Sequence, residues 1–291
     1  MRIFTFEKAG KPTLGVLRSV AAEQYIDLEL AGYAHAHDLS QLLAQPNWQD
    51  QIGTILEEHP MHAVQAMAGV KFLPLIPNPG KIICVGLNYA DHAKEGGHAI
   101  PDHPSFFLRV NSSQVAHEQP MRVPKASSKL DYEAELAVVI GKTARHLTAE
   151  NALDCVAGYS CYNDGSIRDY QRKGTQWTLG KNFDLTGSFG PWLVSADELP
   201  KGAHGLKVQT RLNGQLLQDG NTADFLFNVA QVLVIMSEVM TLEPGDVIIT
   251  GTPAGVGYAR KPPIFMKAGD ICEVEVEGIG ILLNTIANEV S

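Results

Sequence analysis

The stretch Asp131-Tyr-Glu-Ala-Glu-Leu-Ala-Val-Val-Ile-Gly141 constrains this chain more than any other. Its second half is apolar and β-branched and ends in a glycine, which predicts a strand running into the interior. Side chains two apart on a strand share a face, so Glu133 and Glu135 point the same way. Paired carboxylates repel each other and lose hydration when covered. They need a cation, a proton or open water. Taken alone, a Glu-x-Glu at a strand entrance is most often a solvated edge. The choice depends on what the rest of the chain brings to it.

The chain of 291 residues has room for one large core or two units of about 150 residues each. Residues 1–73 alternate short strand and helix patterns and predict a small α+β domain. Residues 74–80, with three prolines and a glycine, predict a linker. Residues 81–291 are mostly strand with few helices, so the fold class expected is α+β and strand-rich. A net charge of −9 argues against nucleic acid or an anionic membrane as partner. The run Phe225 to Met240 is too short and too polar to span a bilayer, and Met1 to Lys8 lacks the pattern of a secretion signal. Four scattered cysteines, Cys84, Cys155, Cys161 and Cys272, fit reduced thiols in a cytoplasmic protein.

Asp164 follows a predicted strand about thirty residues after the glutamates. A third carboxylate completes an oxygen-only donor set that favours Mg²⁺ or Mn²⁺ over zinc. Such a site leaves positions open for a 2-oxo acid to chelate through its carboxylate and keto oxygens. His92 and Glu95 lie three apart on a predicted short helix and so share a face. A carboxylate beside imidazole fixes its tautomer and raises its basicity, as wanted in a base that activates water, although a surface helix pair has the same spacing. Lys181, among apolar and glycine residues, is a candidate to bind a carboxylate or a developing enolate. Gly251-Thr-Pro-Ala-Gly-Val-Gly257 fits neither the dinucleotide fingerprint nor the Walker pattern. It reads as a rigid turn that presents the Thr252 hydroxyl and backbone groups to a cleft. Gly96 to Pro104 has the glycines and prolines of a mobile lid. His35-Ala-His37-Asp38 reads as a solvated loop and not a metal site.

Together these pieces resemble the fumarylacetoacetate hydrolase family. The likeness runs in order through Val85–Glu95, Asp131–Gly141, Asn163–Asp169, Gln176–Lys181 and Leu242–Gly257, covering roughly residues 80 to 286. The resemblance implies a mixed β-roll with a few outer helices, a homodimer, and a site in the mouth of the roll. It implies metal ligands at Glu133, Glu135 and Asp164, a water-activating dyad at His92 and Glu95, and charge stabilisation by Lys181. Gln171 and Thr252 match neighbours of the substrate. Arg109 stands where a lysine is frequent and is expected to bind substrate as well. Leu87 stands where some members carry an arginine, which removes one carboxylate clamp.

Three functional readings follow. The first is an Mg²⁺- or Mn²⁺-dependent hydrolase that cuts the C–C bond of an acylpyruvate or other 2,4-dioxo acid, such as fumarylpyruvate or maleylpyruvate. The second uses the same metal site to decarboxylate or isomerise a 2-oxo dicarboxylate. The third, from another class, is a protein that binds 2-oxo acids without turning them over.

Overall fold

A computed structural model describes residues 1–17, 21 and 23–290. The N-terminal part forms β1 (Arg2–Lys8), β2 (Lys11–Leu17), β3 (Gln24–Asp27), α1 (Leu39–Leu43), α2 (Trp48–Glu58) and β4 (Val64–Ala66). Next come β5 (Ile82–Gly86), α3 (Ala90–Glu95), β6 (Ser105–Arg109), β7 (Gln114–Ala116), β8 (Met121–Val123) and β9 (Leu130–Asp131). The centre holds β10 (Ala134–Ile140), β11 (Val156–Asn163), β12 (Ser166–Ile167), α4 (Arg168–Gln171), α5 (Thr178–Lys181) and β13 (Gly187–Ser195). The chain continues through β14 (Lys207–Leu212), β15 (Gln215–Asn221), α6 (Val229–Val239), β16 (Val247–Ile249), β17 (Ile271–Val276) and β18 (Gly280–Asn288).

Among the described residues eleven strands make one mixed sheet, in the order β4-β3-β2-β1-β13-β11-β10-β16-β5-β6 with β7 beside β13. A second sheet of five runs β15-β14-β17-β18-β8. The strand-rich α+β class expected from the sequence is the one observed.

β10 is buried along its whole length because both of its faces are covered. Leu136, Val138 and Ile140 pack with Val208, Val274, Leu282 and residues of α6. Ala137 and Val139, on the other face, join Leu39, Leu42, Trp48 and Ile52 from the N-terminal part. Residues 1–73 therefore cover one side of the central strand. Their sheet is also continuous with the rest, through the antiparallel pairing of β1 with β13. Leu75 and Ile76 are buried, so the linker expected over residues 74–80 is packed against the core. Prolines there stiffen a path across the core and do not free it.

Apolar residues recur at helical spacing from Leu226 to Met236, which predicts a helix over Asp224–Met240, but α6 starts at Val229. Asn228 and Gln231 form a reciprocal capping box there and fix the start. Thr148 is of a type that caps a helix, which predicts a short helix to Val156, but the chain makes only a 3₁₀ turn, Ala152–Cys155, before it enters β11 at Val156. The glycine-containing polar stretch after Asp169 reads as a loop in the sequence, but it contains α4 and α5, which are too short to leave a periodic signal. The sequence pattern predicts a strand over Thr13–Val20, whose last residues lie outside the described residues.

Candidate active site

Four strand ends meet at one edge of the large sheet. Ala134 pairs with Asn163, which sets Glu133 opposite Asp164, and the Asp164 N–H donates to the Glu133 carbonyl at 2.9 Å. Glu133 and Glu135 share a face by the strand period, so the register alone gathers three carboxylates. β5 and β16 are parallel and end beside them. After β5 the chain turns through Leu87, which has a positive φ of 57°, and Asn88 into α3. The buried Asn88 side chain fixes that turn, donating to the carbonyls of Thr250 (2.7 Å) and Phe227 (3.0 Å).

Oxygen atoms of Glu133, Glu135 and Asp164 lie within 4.8 Å of one another, and all three side chains are buried. The solvated-edge alternative is thereby excluded, and cations answer most of the charge. Lys181 Nζ lies 2.5 Å from both Glu133 Oε2 and Asp164 Oδ2. Arg168 donates to Glu133 Oε1 and Asp131 Oδ2, each at 2.7 Å. Burial alone would raise the Glu133 carboxyl, but Arg168 and then Lys181 outweigh it and hold it well below the ordinary range. Among the described residues Glu135 accepts the Gly251 N–H alone, at 2.5 Å. Burial, followed by the Asp164 and Glu133 charges, pushes its carboxyl well up. A group that must shed charge beside two fixed carboxylates marks where a further cation would be stabilised. Hard oxygen donors this close suit Mg²⁺ or Mn²⁺, whose bonds to oxygen are about 2.1 Å. The donor set fits.

His92 and Glu95 are brought together. His92 Nδ1 lies 3.0 Å from Glu95 Oε1, and His92 lines the same cavity as the three carboxylates. Glu95 also accepts the Gly255 N–H through both oxygens, at 3.0 and 3.1 Å. The glycine-rich turn after β16 does more than present Thr252. Its N–H groups hold Glu135 (from Gly251), Glu95 (from Gly255) and Asp131 (from Gly257, 2.8 Å). Gly251 and Gly255 sit at φ of 100° and 104°, a conformation open to glycine that turns these N–H groups inward.

The cavity has a volume of about 110 Å³. Glu133, Glu135, Asp164 and Lys181 form its floor, Leu87, Phe107 and Trp177 an apolar wall, and Arg172, Tyr258 and His98 its outer parts. Trp177 packs against Gly86, where an added Cβ would meet its ring at 2.0 Å. Gln171 and Thr252 line the cavity as expected from the resemblance. Gln171 also accepts from Arg168 at 2.9 Å, and Thr252 Oγ1 accepts from Gln218 at 2.8 Å.

Arg109 is not on the cavity. Its fully buried guanidinium donates to Asp164 Oδ1 (2.6 Å), the Gly165 carbonyl (3.1 Å) and Thr186 Oγ1 (3.0 Å). It stands behind Asp164, because a planar cation in a dry interior is tolerable only with its donors paired. The expectation that it binds substrate is corrected to support of a site carboxylate. Asp131 and Arg168, given no role from the sequence, are central here. A signal existed, since Asp131, Glu133 and Glu135 repeat at spacing two and Arg168 lies in the Asp164 motif.

The family model described as fumarylacetoacetate (FAA) hydrolase C-terminal matches residues 81–287. The human mitochondrial oxaloacetate tautomerase is 43% identical over 219 residues, covering 75% of this chain and 69% of that relative. A solved fumarylacetoacetate hydrolase from Exiguobacterium antarcticum superposes with a TM-score of 0.83 at 36% identity, over 99% of this chain and 100% of that one. A maleylpyruvate hydrolase from Sphingobium sp. SYK-6, solved with manganese(II) ion and pyruvate, gives a TM-score of 0.81 at 28% identity, over all of both chains. The chain belongs to the fumarylacetoacetate hydrolase family.

Proposed function

We propose that the chain is a divalent-metal-dependent enzyme that moves a proton at C3 of a small 2-oxo acid, interconverting its keto and enol forms. The position of His92 carries this reading. With Nδ1–H donating to Glu95, Nε2 is the basic nitrogen of a ring that lines the cavity above the carboxylate floor. Mg²⁺ or Mn²⁺ on Glu133, Glu135 and Asp164 would supply a Lewis acid for charge developing on the 2-oxo unit. Lys181 adds a fixed positive charge beside that position, and Arg109 and Arg168 hold the carboxylates in place. Apolar Leu87, Phe107 and Trp177 limit water around the transferred proton. The small cavity suits a short acid, and relatives 42–43% identical are named oxaloacetate tautomerases.

A second reading is C–C hydrolysis of an acylpyruvate, in which His92 Nε2 takes its proton from water instead of carbon. The similarity over the full length to a maleylpyruvate hydrolase favours it. Enol-enriched oxaloacetate, acetylpyruvate and fumarylpyruvate offered with Mn²⁺ separate the two. Rapid loss of enol absorbance without pyruvate release is expected. Pyruvate released from the acylpyruvates would move the chain to the hydrolases, and pyruvate from oxaloacetate to the decarboxylases. Metal-dependent binding with no turnover of any of them would leave the binding protein. A homodimer belongs to the same proposal. Leu108 on edge strand β6, Val110 just after it and Leu179 on α5 are exposed, and light scattering tests the pairing.

A further inference from the structure

Arg172 caps the C-terminal end of α4, is exposed, and lines the cavity whose floor carries the carboxylates. Arg168 and Arg109 are each committed to carboxylates of the site. Arg172, by contrast, makes no ion pair with any described residue. Its guanidinium carbon lies 4.9 Å from the centre of the Tyr258 ring, a cation–π contact that orients it without using its donors. Tyr258 is itself fixed, since its N–H donates to Asp131 Oδ2 at 3.0 Å and Arg168 lies 4.4 Å from its ring centre. The cavity is thus lined by buried carboxylates, by half-buried Leu87 and Phe107, and by an exposed, oriented guanidinium whose donors have no partner among the described residues.

That set of surfaces matches a molecule with a chelating 2-oxo acid at one end, a short carbon chain, and an anion at the other. We infer that Arg172 binds the distal carboxylate of a 2-oxo dicarboxylate and sets the preference for diacids over monoacids. The inference rests on the 2-oxo acid reading above and deepens it. A guanidinium binds a carboxylate through two parallel hydrogen bonds, which a lysine replaces only in charge.

The test compares oxaloacetate with its 4-methyl ester, which differ at the distal carboxylate alone, on the Mn²⁺-loaded protein. Binding is read by calorimetry and turnover by enol absorbance, in wild type, Arg172→Gln and Arg172→Lys. Wild type is expected to bind the diacid more tightly than the ester. Arg172→Gln should lower the diacid-to-ester ratio of affinities roughly 10- to 100-fold, and Arg172→Lys should keep part of it. Where turnover occurs, the loss should fall on KM for the diacid and not on kcat. Equal binding of the two ligands by wild type, or a ratio unchanged in Arg172→Gln, would overturn the inference, as would no binding of either. Diacid-selective binding that depends on Arg172, with no turnover, would support it while contradicting the proposed reaction.

Discussion

His92 gains its basic nitrogen from a neighbour, since the Glu95 carboxylate takes the Nδ1 side of the ring and leaves Nε2 to the cavity. His92→Asn keeps a polar side chain there but no base. Its kcat is expected to fall roughly 10²- to 10⁴-fold, with Mn²⁺ affinity retained by calorimetry. Loss of metal together with activity would mean that His92 supports the carboxylate floor instead. The carboxylates themselves were legible in the sequence because strand period is a local rule, and Glu133 and Glu135 obey it. Asp164 was legible as a carboxylate of the right type, and its place opposite Glu133 comes from the β10–β11 register. The position of Arg109 was not legible. Which side of Asp164 it occupies depends on Ser113 and Thr186, brought in by distant segments.

At the level of elements, the turn after β16 joins the two halves of the site. It grips Glu135, of the proposed metal site, and Glu95, of the proposed dyad, through the N–H groups of Gly251 and Gly255. Gly255 is its sensitive point. A Cβ there would meet the Leu217 carbonyl oxygen at 2.3 Å, and the φ of 104° is strained for any other residue. Gly255→Ala is expected to cost about 1–3 kcal/mol, measured by urea unfolding, and to lower kcat by freeing Glu95. A variant with wild-type kcat would detach Glu95 from the chemistry. The sequence showed this segment as a rigid turn, yet not what its N–H groups hold, since a backbone donor leaves no trace in residue type. A helical pattern is legible where it extends over several turns, as over Trp48–Glu58 in α2, and is absent from the single turns of α4 and α5.

Across the whole molecule, the N-terminal residues share a sheet and a core with the part that carries the site. His117 sits at that junction, with its ring edge-on to Phe72 at 4.8 Å and its Nδ1 accepting the Leu283 N–H at 3.1 Å. Burial pulls its pKa down from 6.5 to about 4. The unfolded chain therefore takes up a proton near pH 6.5 that the folded one refuses until about pH 4. The contribution of His117 to stability is full above pH 6.5 and falls as the pH drops through that window, by up to about 3 kcal/mol. Urea unfolding at pH 7 and pH 5 should show the loss, and His117→Asn should reduce it. An unchanged difference would assign the pH effect to other groups. Among the described residues no helix is long and apolar enough to cross a membrane.

The junction holds the sheet, the sheet edge gathers Glu133, Glu135 and Asp164, and their charge calls for a metal. The most direct measurement is the rate of enol-oxaloacetate loss by metal-stripped protein, before and after Mn²⁺ is restored, with Glu135→Gln alongside. The expected result is a stripped rate no faster than buffer, recovery with Mn²⁺ in the wild type, and none in Glu135→Gln. A stripped protein that keeps its full rate, or a Glu135→Gln variant that recovers like the wild type, would contradict a metal centre at these carboxylates.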